Sequence, residues 1–141
     1  MPLSDFIPQL ASALRLPALV ADRDGACAFR VGEVTVQLIP RPAGEDAFVA
    51  RACPAHVDPV ARAATLEPLL AANFFGNGVG GPVLGLDAQD AVFLTQHFHA
   101  NGLGFEALFT ALERFVVHAA ECRGLLAHTA MPTLSTHHGY A

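Results

Sequence analysis

Apolar positions recur every three or four residues near both ends and in the middle of this chain, and every second residue in the stretches between. Phe6, Leu10, Ala13 and Leu14 carry the helical spacing first and predict a helix over Asp5 to Leu16. Asp5 serves as its cap, Pro8 lies in its first turn and Pro17 ends it. The turn residues Ala21 to Gly25 open a strand region. Cys27, Phe29 and Val31 alternate with Ala28 and Arg30, Gly32-Glu33 makes a tight turn, and Val34, Val36 and Leu38 alternate on the way back. Pro40 to Gly44 breaks that strand, and Phe48 to Cys53 reads as the third member of an antiparallel meander.

Asp58-Pro59 has the form of a helix start, an N-cap followed by proline at the first position. The helix it opens reaches about Phe75, with Pro68 predicting a kink or two abutting pieces. Gly76 to Gly81 is a glycine-rich loop. A hairpin follows, Pro82 to Leu86 and Ala91 to Phe98, turning at Asp87 to Asp90. Phe105, Leu108, Phe109, Leu112, Phe115, Val116, Ala119 and Cys122 then give a long amphipathic helix over Gly104 to Leu126. The element order α-β-β-β-α-β-β-α predicts an α+β fold, an antiparallel sheet with three helices covering one face. Residues 1–127 form one domain, and His128 to Ala141, without periodicity, is expected to be a flexible tail.

Composition adds a constraint. Hydrophobic residues make up 52% of the 141 and charged residues only 15%, with a mean hydropathy of +0.40. Such a chain either enters a membrane or hides apolar surface against a partner. No apolar run approaches the roughly 18 residues a membrane span needs, and no basic region followed by an apolar block marks a signal peptide. The expectation is a cytoplasmic protein whose apolar surface meets another protein. Net charge is −5, and no Lys/Arg cluster appears that could neutralise phosphates, so nucleic acid is not an expected partner. Cys27, Cys53 and Cys122, three scattered thiols without CxxC spacing, fit buried free cysteines in a reducing compartment.

No arrangement of catalytic residues stands out. Phe75 to Gly81 lacks the lysine and hydroxyl of a phosphate loop and precedes a strand. His97 and His99 lack a third ligand, and a helical wheel turns His118 to water while Cys122 edges the apolar face, so neither pair converges on a metal. No serine or cysteine combines a sharp turn with an activating base. Asn73, closing an apolar helix before a glycine loop, reads as a C-terminal cap, with a hydrogen bond across an interface as the alternative. The chain is expected to bind protein, with no cofactor, no metal and no enzymatic role.

Leu69 to Phe75, then Gly85-Leu86-Asp87, Val92-Phe93-Leu94 and the helix from Phe105 to Leu126 together resemble the Tir-chaperone family, the class I chaperones of bacterial type III secretion. Upstream, Leu16-Pro17 and Asp24 to Cys27 match the family's first-helix exit and first strand, so the likeness spans about residues 3 to 126. It departs at Arg123, where many relatives carry an aromatic residue, and in the histidine-bearing tail. The resemblance implies a homodimer built largely from the second helix and the strand after it. It also implies a partner, the N-terminal segment of a secreted effector, wound round the dimer in a non-globular, secretion-competent form without ATP. Docking to the secretion apparatus is allowed by it.

The residues permit a mechanism for this. Leu66, Leu69, Leu70, Phe74 and Phe75 are more apolar surface than one short helix buries on its own sheet, and with Val83 they are the candidate dimer interface. Phe29, Val31, Val36 and Leu38 line one face of the meander and are the candidate effector groove, with core packing as the competing reading for each. Two alternatives stay open: a small dimeric regulatory or scaffold domain of the same fold that binds a folded partner, and a metal protein or enzyme using His97, His99 or His118.

Overall fold

The computed structural model describes the backbone of residues 1–42, 44–76 and 81–138, and their side chains except at 45, 74–76 and 127–138. Its elements are α1 (Leu3–Ala13), β1 (Cys27–Val31), β2 (Val34–Arg41), β3 (Gly44–His56), a short 3-10 turn (Pro59–Ala61), α2 (Arg62–Gly76), β4 (Val83–Leu86), β5 (Ala91–His99) and α3 (Phe105–His138). The expected α+β order is therefore present. The meander and the later hairpin join through an antiparallel β3–β5 pairing into one five-stranded sheet, ordered β1-β2-β3-β5-β4.

The register separates the two faces of this sheet. Phe29, Val36, Ala52, Leu94 and Leu84 stand opposite one another across all five strands, and all five are buried. One residue along, Ala28, Gln37, Arg51, Thr95 and Val83 form the parallel row on the other side. Side chains alternate between faces with a period of two, so the first row belongs to the inner face and the second to the outer. α1 and α3 pack on the inner face, against β3 and each other, while α2 sits against β4 and α3.

An aromatic chain fastens the helices to the sheet. Phe48 on β3 stacks on Phe98 of β5, with centroids 5.0 Å apart, and lies 6.1 Å from Phe6 of α1. Phe6 in turn meets Phe105 at 5.5 Å, and Phe105 meets Phe109 at 5.3 Å, both on α3. Phe6, Phe48 and Phe115 are among the largest side chains with essentially no exposed surface.

Several boundaries differ from the sequence reading, each for a local reason. α1 starts two residues early because Leu3 is buried beside Phe6, Ile7 and Leu10. Asp5 is then in the first turn and does not cap it, and Pro8 lies inside the helix. Pro8 is exposed, and so is Ser4, whose carbonyl loses its helical donor to the proline ring and faces water. The helix stops at Ala13 because Arg15 takes φ +56°. The Leu16 amide donates to Ala11 O at 2.8 Å and the Arg15 amide to Ser12 O at 3.2 Å, a Schellman closure with arginine where glycine is usual. Pro40 does not end β2, and Pro54 lies within β3. Both prolines stand where the register shifts, next to Arg41 and between Ala52 and Ala55, so neither removes a needed ladder donor. Pro68 likewise sits within a single α2, which follows the Asp58-capped turn at Pro59 as expected. α3 runs past Leu126 to His138. Of the Gly76–Gly81 loop, Asn77 to Gly80 lie outside the described residues.

Removing the centre of the aromatic chain should cost most. Phe48→Ala is expected to lower unfolding free energy by about 3–5 kcal/mol, measured by urea denaturation against the wild type.

Candidate protein-binding surfaces

β1 is one edge of the sheet, and a hollow opens beside it. Leu10 and Leu14 of α1, Phe29 and Val31 of β1, and Phe109, Leu112, Glu113, Val116 and Val117 of α3 enclose about 220 Å³. Its walls are apolar except for Glu113. Val31 and Val117 keep 38% and 55% of their surface exposed, so the hollow is reachable from solvent. The edge itself is available. Gly32, at φ +60°, opens a two-residue turn that makes Val31 and Val34 the closing pair. Antiparallel alternation then turns the backbone groups of Arg30 and Ala28 away from β2.

The opposite edge is guarded. Asn73 of α2 donates from Nδ2 to Leu84 O and accepts the Leu84 amide on Oδ1, both at 2.7 Å. Its amide thus satisfies the donor and acceptor of Leu84 as a neighbouring strand would. Asn73 is neither a helix cap nor, within this protomer, a group left for an interface. α2 continues three residues beyond it.

The structure divides the sequence-derived candidates. Val36 and Leu38 have no exposed surface and belong to the core beneath the sheet's inner face. They offer no surface to a partner in the folded protomer, whereas Phe29 and Val31 line the hollow. Leu69 is also core: Ala61, Thr65 and Leu69, four residues apart, form the buried side of the second helical segment, and Thr65 Oγ1 donates to Ala61 O at 2.8 Å. Leu66 is half-buried. Leu70, 70% exposed, points away from the protomer, and Val83 and Leu86 on β4 are exposed at 39% and 36%. The Phe74 and Phe75 side chains lie outside the described residues. The sequence suggests a hollow between the first helix and the meander without naming its α1 residues, and it does not bring in the α3 wall. The available signal for α3 was the width of its stripe, where Val117 adjoins Val116 and exceeds what a single face buries.

The ionisable groups offer little chemistry. His97 and His99 are exposed, and His97 Nδ1 contacts the Arg41 guanidinium. His118 and Cys122 both line a second hollow between α2, β4 and α3. Among the described residues no three His, Cys, Asp or Glu side chains group as metal ligands, and no helix is long and apolar enough to cross a membrane. Burial, helped by the nearby Asp22 carboxylate, pushes the Cys27 thiol from 9.0 up to about 11, against a backbone hydrogen bond from Leu38. Cys53, expected from the sequence to be buried, is exposed, and Cys122 is half-buried; partial desolvation still raises both thiols above their usual value. All three thiols are therefore protonated and weakly nucleophilic at neutral pH.

The Tir chaperone protein (CesT) family model matches residues 5–123. The chain belongs to that family. Solved structures share its fold at low sequence identity. The type III secretion chaperone SycH of Yersinia pestis, solved in complex with a stable fragment of YscM2, is 21% identical with a TM-score of 0.63, over 85% of this chain and 98% of that one. The ExsC–ExsE complex gives 20% identity and a TM-score of 0.63 over 89% and 97%. The ExoT–SpcS complex from Pseudomonas aeruginosa gives 24% and 0.58 over 85% and 97%. None of the curated proteins compared with the chain matches it. The three-helix, five-strand chaperone fold expected from the sequence is thus the fold observed.

Two outcomes follow from this geometry. Asn73→Ala leaves the Leu84 amide and carbonyl without partners and should cost about 1–3 kcal/mol, with faster hydrogen exchange confined to β4. Folding holds the Cys27 thiol protonated, so its contribution is complete below pH 9 and is lost as pH rises toward 11. The stability difference between wild type and Cys27→Ala should shrink over that interval by up to about 3 kcal/mol.

Proposed function

We propose that this protein is a cytoplasmic type III secretion chaperone that binds the N-terminal segment of one or more secreted effectors and holds it non-globular, soluble and ready for export. The observation that carries the reading is the conjunction of an open sheet edge at β1 with an apolar hollow beside it. A client segment can add to the edge through its backbone and place alternate side chains in the hollow. Strand addition supplies affinity that depends little on client sequence, and the hollow selects apolar side chains at one position. No ATP, metal or cofactor is required, because release needs only competition for an extended segment at the secretion apparatus. SycH, ExsC and SpcS were each solved with a protein partner, which agrees with this use of the fold.

The working unit in this proposal is a homodimer. Leu70, Leu66 and Val83, with Phe74 and Phe75 as the sequence reading adds, form a self-complementary patch on α2 and β4. The guarded β4 edge suits that role, since Asn73 removes the strand-pairing option and leaves side-chain packing to join the copies. The β1 edges then remain free on both protomers.

Leu70→Asp should convert the dimer to monomer, because a carboxylate buried at the patch costs several kcal/mol. Sedimentation at micromolar concentration checks it, and a variant that stays dimeric would move the interface elsewhere. Val31→Asp should leave the dimer intact and abolish protection of a bound effector N-terminal segment from protease. Undiminished protection would place the client away from β1. A partner that is equally protease-resistant before and after binding would favour a regulatory domain for a folded protein.

A further inference from the structure

The helices cover only the inner face of the sheet. The outer face carries a charge opposite to that of the whole chain. All eight cationic residues are arginines, against thirteen acids. Arg30 and Arg51 fall on the outer face by the register that places Phe29, Val36 and Ala52 inside, and Arg41, beyond the register shift, is set there by its contact with His97 of the same face. β1, β2, β4 and β5 contain no carboxylate. In β3 the acids are Asp46, which alternation puts on the inner face with Phe48, and Glu45 at the hairpin, whose side chain lies outside the described residues.

None of the three arginines has a carboxylate partner among the described residues. The ion pairs there involve the N-terminus, Arg62 and Arg123. Groups other than carboxylates hold the three instead. Arg30 Nε donates to Gly32 O at 2.8 Å. Arg41 contacts the His97 ring. Arg51 donates from Nε and Nη2 to Gln37 Oε1 at 2.9 and 2.7 Å, and its guanidinium lies 5.1 Å from the centre of the Phe93 ring. Each is thus oriented while keeping donors to spare, the state of a guanidinium prepared for a carboxylate. Between them Ile39, Val49 and Phe93 are only half-buried, an apolar strip that no element among the described residues covers.

We infer that the outer sheet face is a second client surface, docking an acidic segment of the effector whose carboxylates meet Arg30, Arg41 and Arg51 and whose apolar side covers Ile39, Val49 and Phe93. This rests on the chaperone reading and names the chemistry of its partner. Continuity supports it. Arg30 stands on the edge strand between Phe29 and Val31, which line the hollow, so a chain leaving the hollow over β1 reaches the outer face at Arg30. Two strand spacings and one row put Arg30 about 12 Å from Arg51, a distance spanned by about four residues of extended client. A nucleic-acid backbone fits less well, because three dispersed cations on a chain of net charge −5 make a poor phosphate surface.

The test uses the full chain and the effector N-terminal segment that co-purifies with it. Its affinity is measured by calorimetry at about 50 and 500 mM salt for wild type, Arg30→Glu/Arg51→Glu and Val31→Asp. The arginine variant should bind at least tenfold more weakly at low salt and recover part of that loss at high salt, where wild-type affinity falls, because salt screens the repulsion that Glu creates. A client with its Asp and Glu changed to Lys should regain affinity for that variant alone. Equal affinity of wild type and arginine variant, with Val31→Asp still defective, overturns this inference and leaves the chaperone reading standing. Wild type binding no effector segment overturns both. A change in solution mass of the arginine variant without client would assign the face to a second copy. Displacement of the client from wild type by a single-stranded oligonucleotide would assign it to nucleic acid, and either result overturns the proposal.

Discussion

Everything described rests on a sheet that is covered on one side only. The Phe6–Phe48–Phe98 and Phe6–Phe105–Phe109 contacts clamp α1 and α3 to the inner face, and among the described residues no third layer covers the outer one. A two-layer domain of this size buries its core with that single face. The remaining sheet surface, both edges and the outer side of α2 must then be managed individually. β4 is closed by the Asn73 amide, β1 is left open beside a hollow, and the outer face is kept in water by arginines. The high apolar content of the chain is therefore distributed between a core and surfaces that await partners.

Much of the architecture was legible in the chain. Alternation at Cys27–Val31 and Val34–Leu38, the Asp58-Pro59 start and the Phe105–Cys122 stripe each encode their element locally, through side-chain period or a cap, and those signals survive folding unchanged. The boundaries were less so, because they are decided by tertiary burial. Leu3 lengthens α1 through contacts on its buried face, and Pro40 and Pro54 are absorbed at register shifts that no single strand specifies. Arg15 ends α1 in a conformation that sequence reserves for glycine.

The candidate sites divide along the same line. Phe29 and Val31 line the hollow beside β1, yet Val36 and Leu38 share their alternating pattern and are fully buried. Alternation names a face without saying which strand is at the edge, and edge position comes only from the β1-β2-β3-β5-β4 order. Leu69 and Leu70 show the same limit on a helix: adjacent in sequence, one enters the core and the other points outward. Asn73 was noticed for its place at a helix end, whereas its role comes from β4, a strand eleven residues further on. The membership of the chain in the Tir chaperone family was carried by the ordered set of these motifs more than by any one residue.

The central claim is that a dimer of this chain holds an effector segment in a non-globular form through surfaces the single-sided sheet leaves free. It is tested most directly by co-expression with N-terminal segments of candidate secreted proteins, followed by size-exclusion chromatography with light scattering and amide exchange on the purified complex. The account predicts a mass of two copies of this chain with one segment, and client amides protected locally where they cross β1 but without the pattern of an independently folded domain. A complex whose client keeps the exchange pattern of its own folded domain, or a dimer that retains no segment while β1 amides stay unprotected, would contradict it.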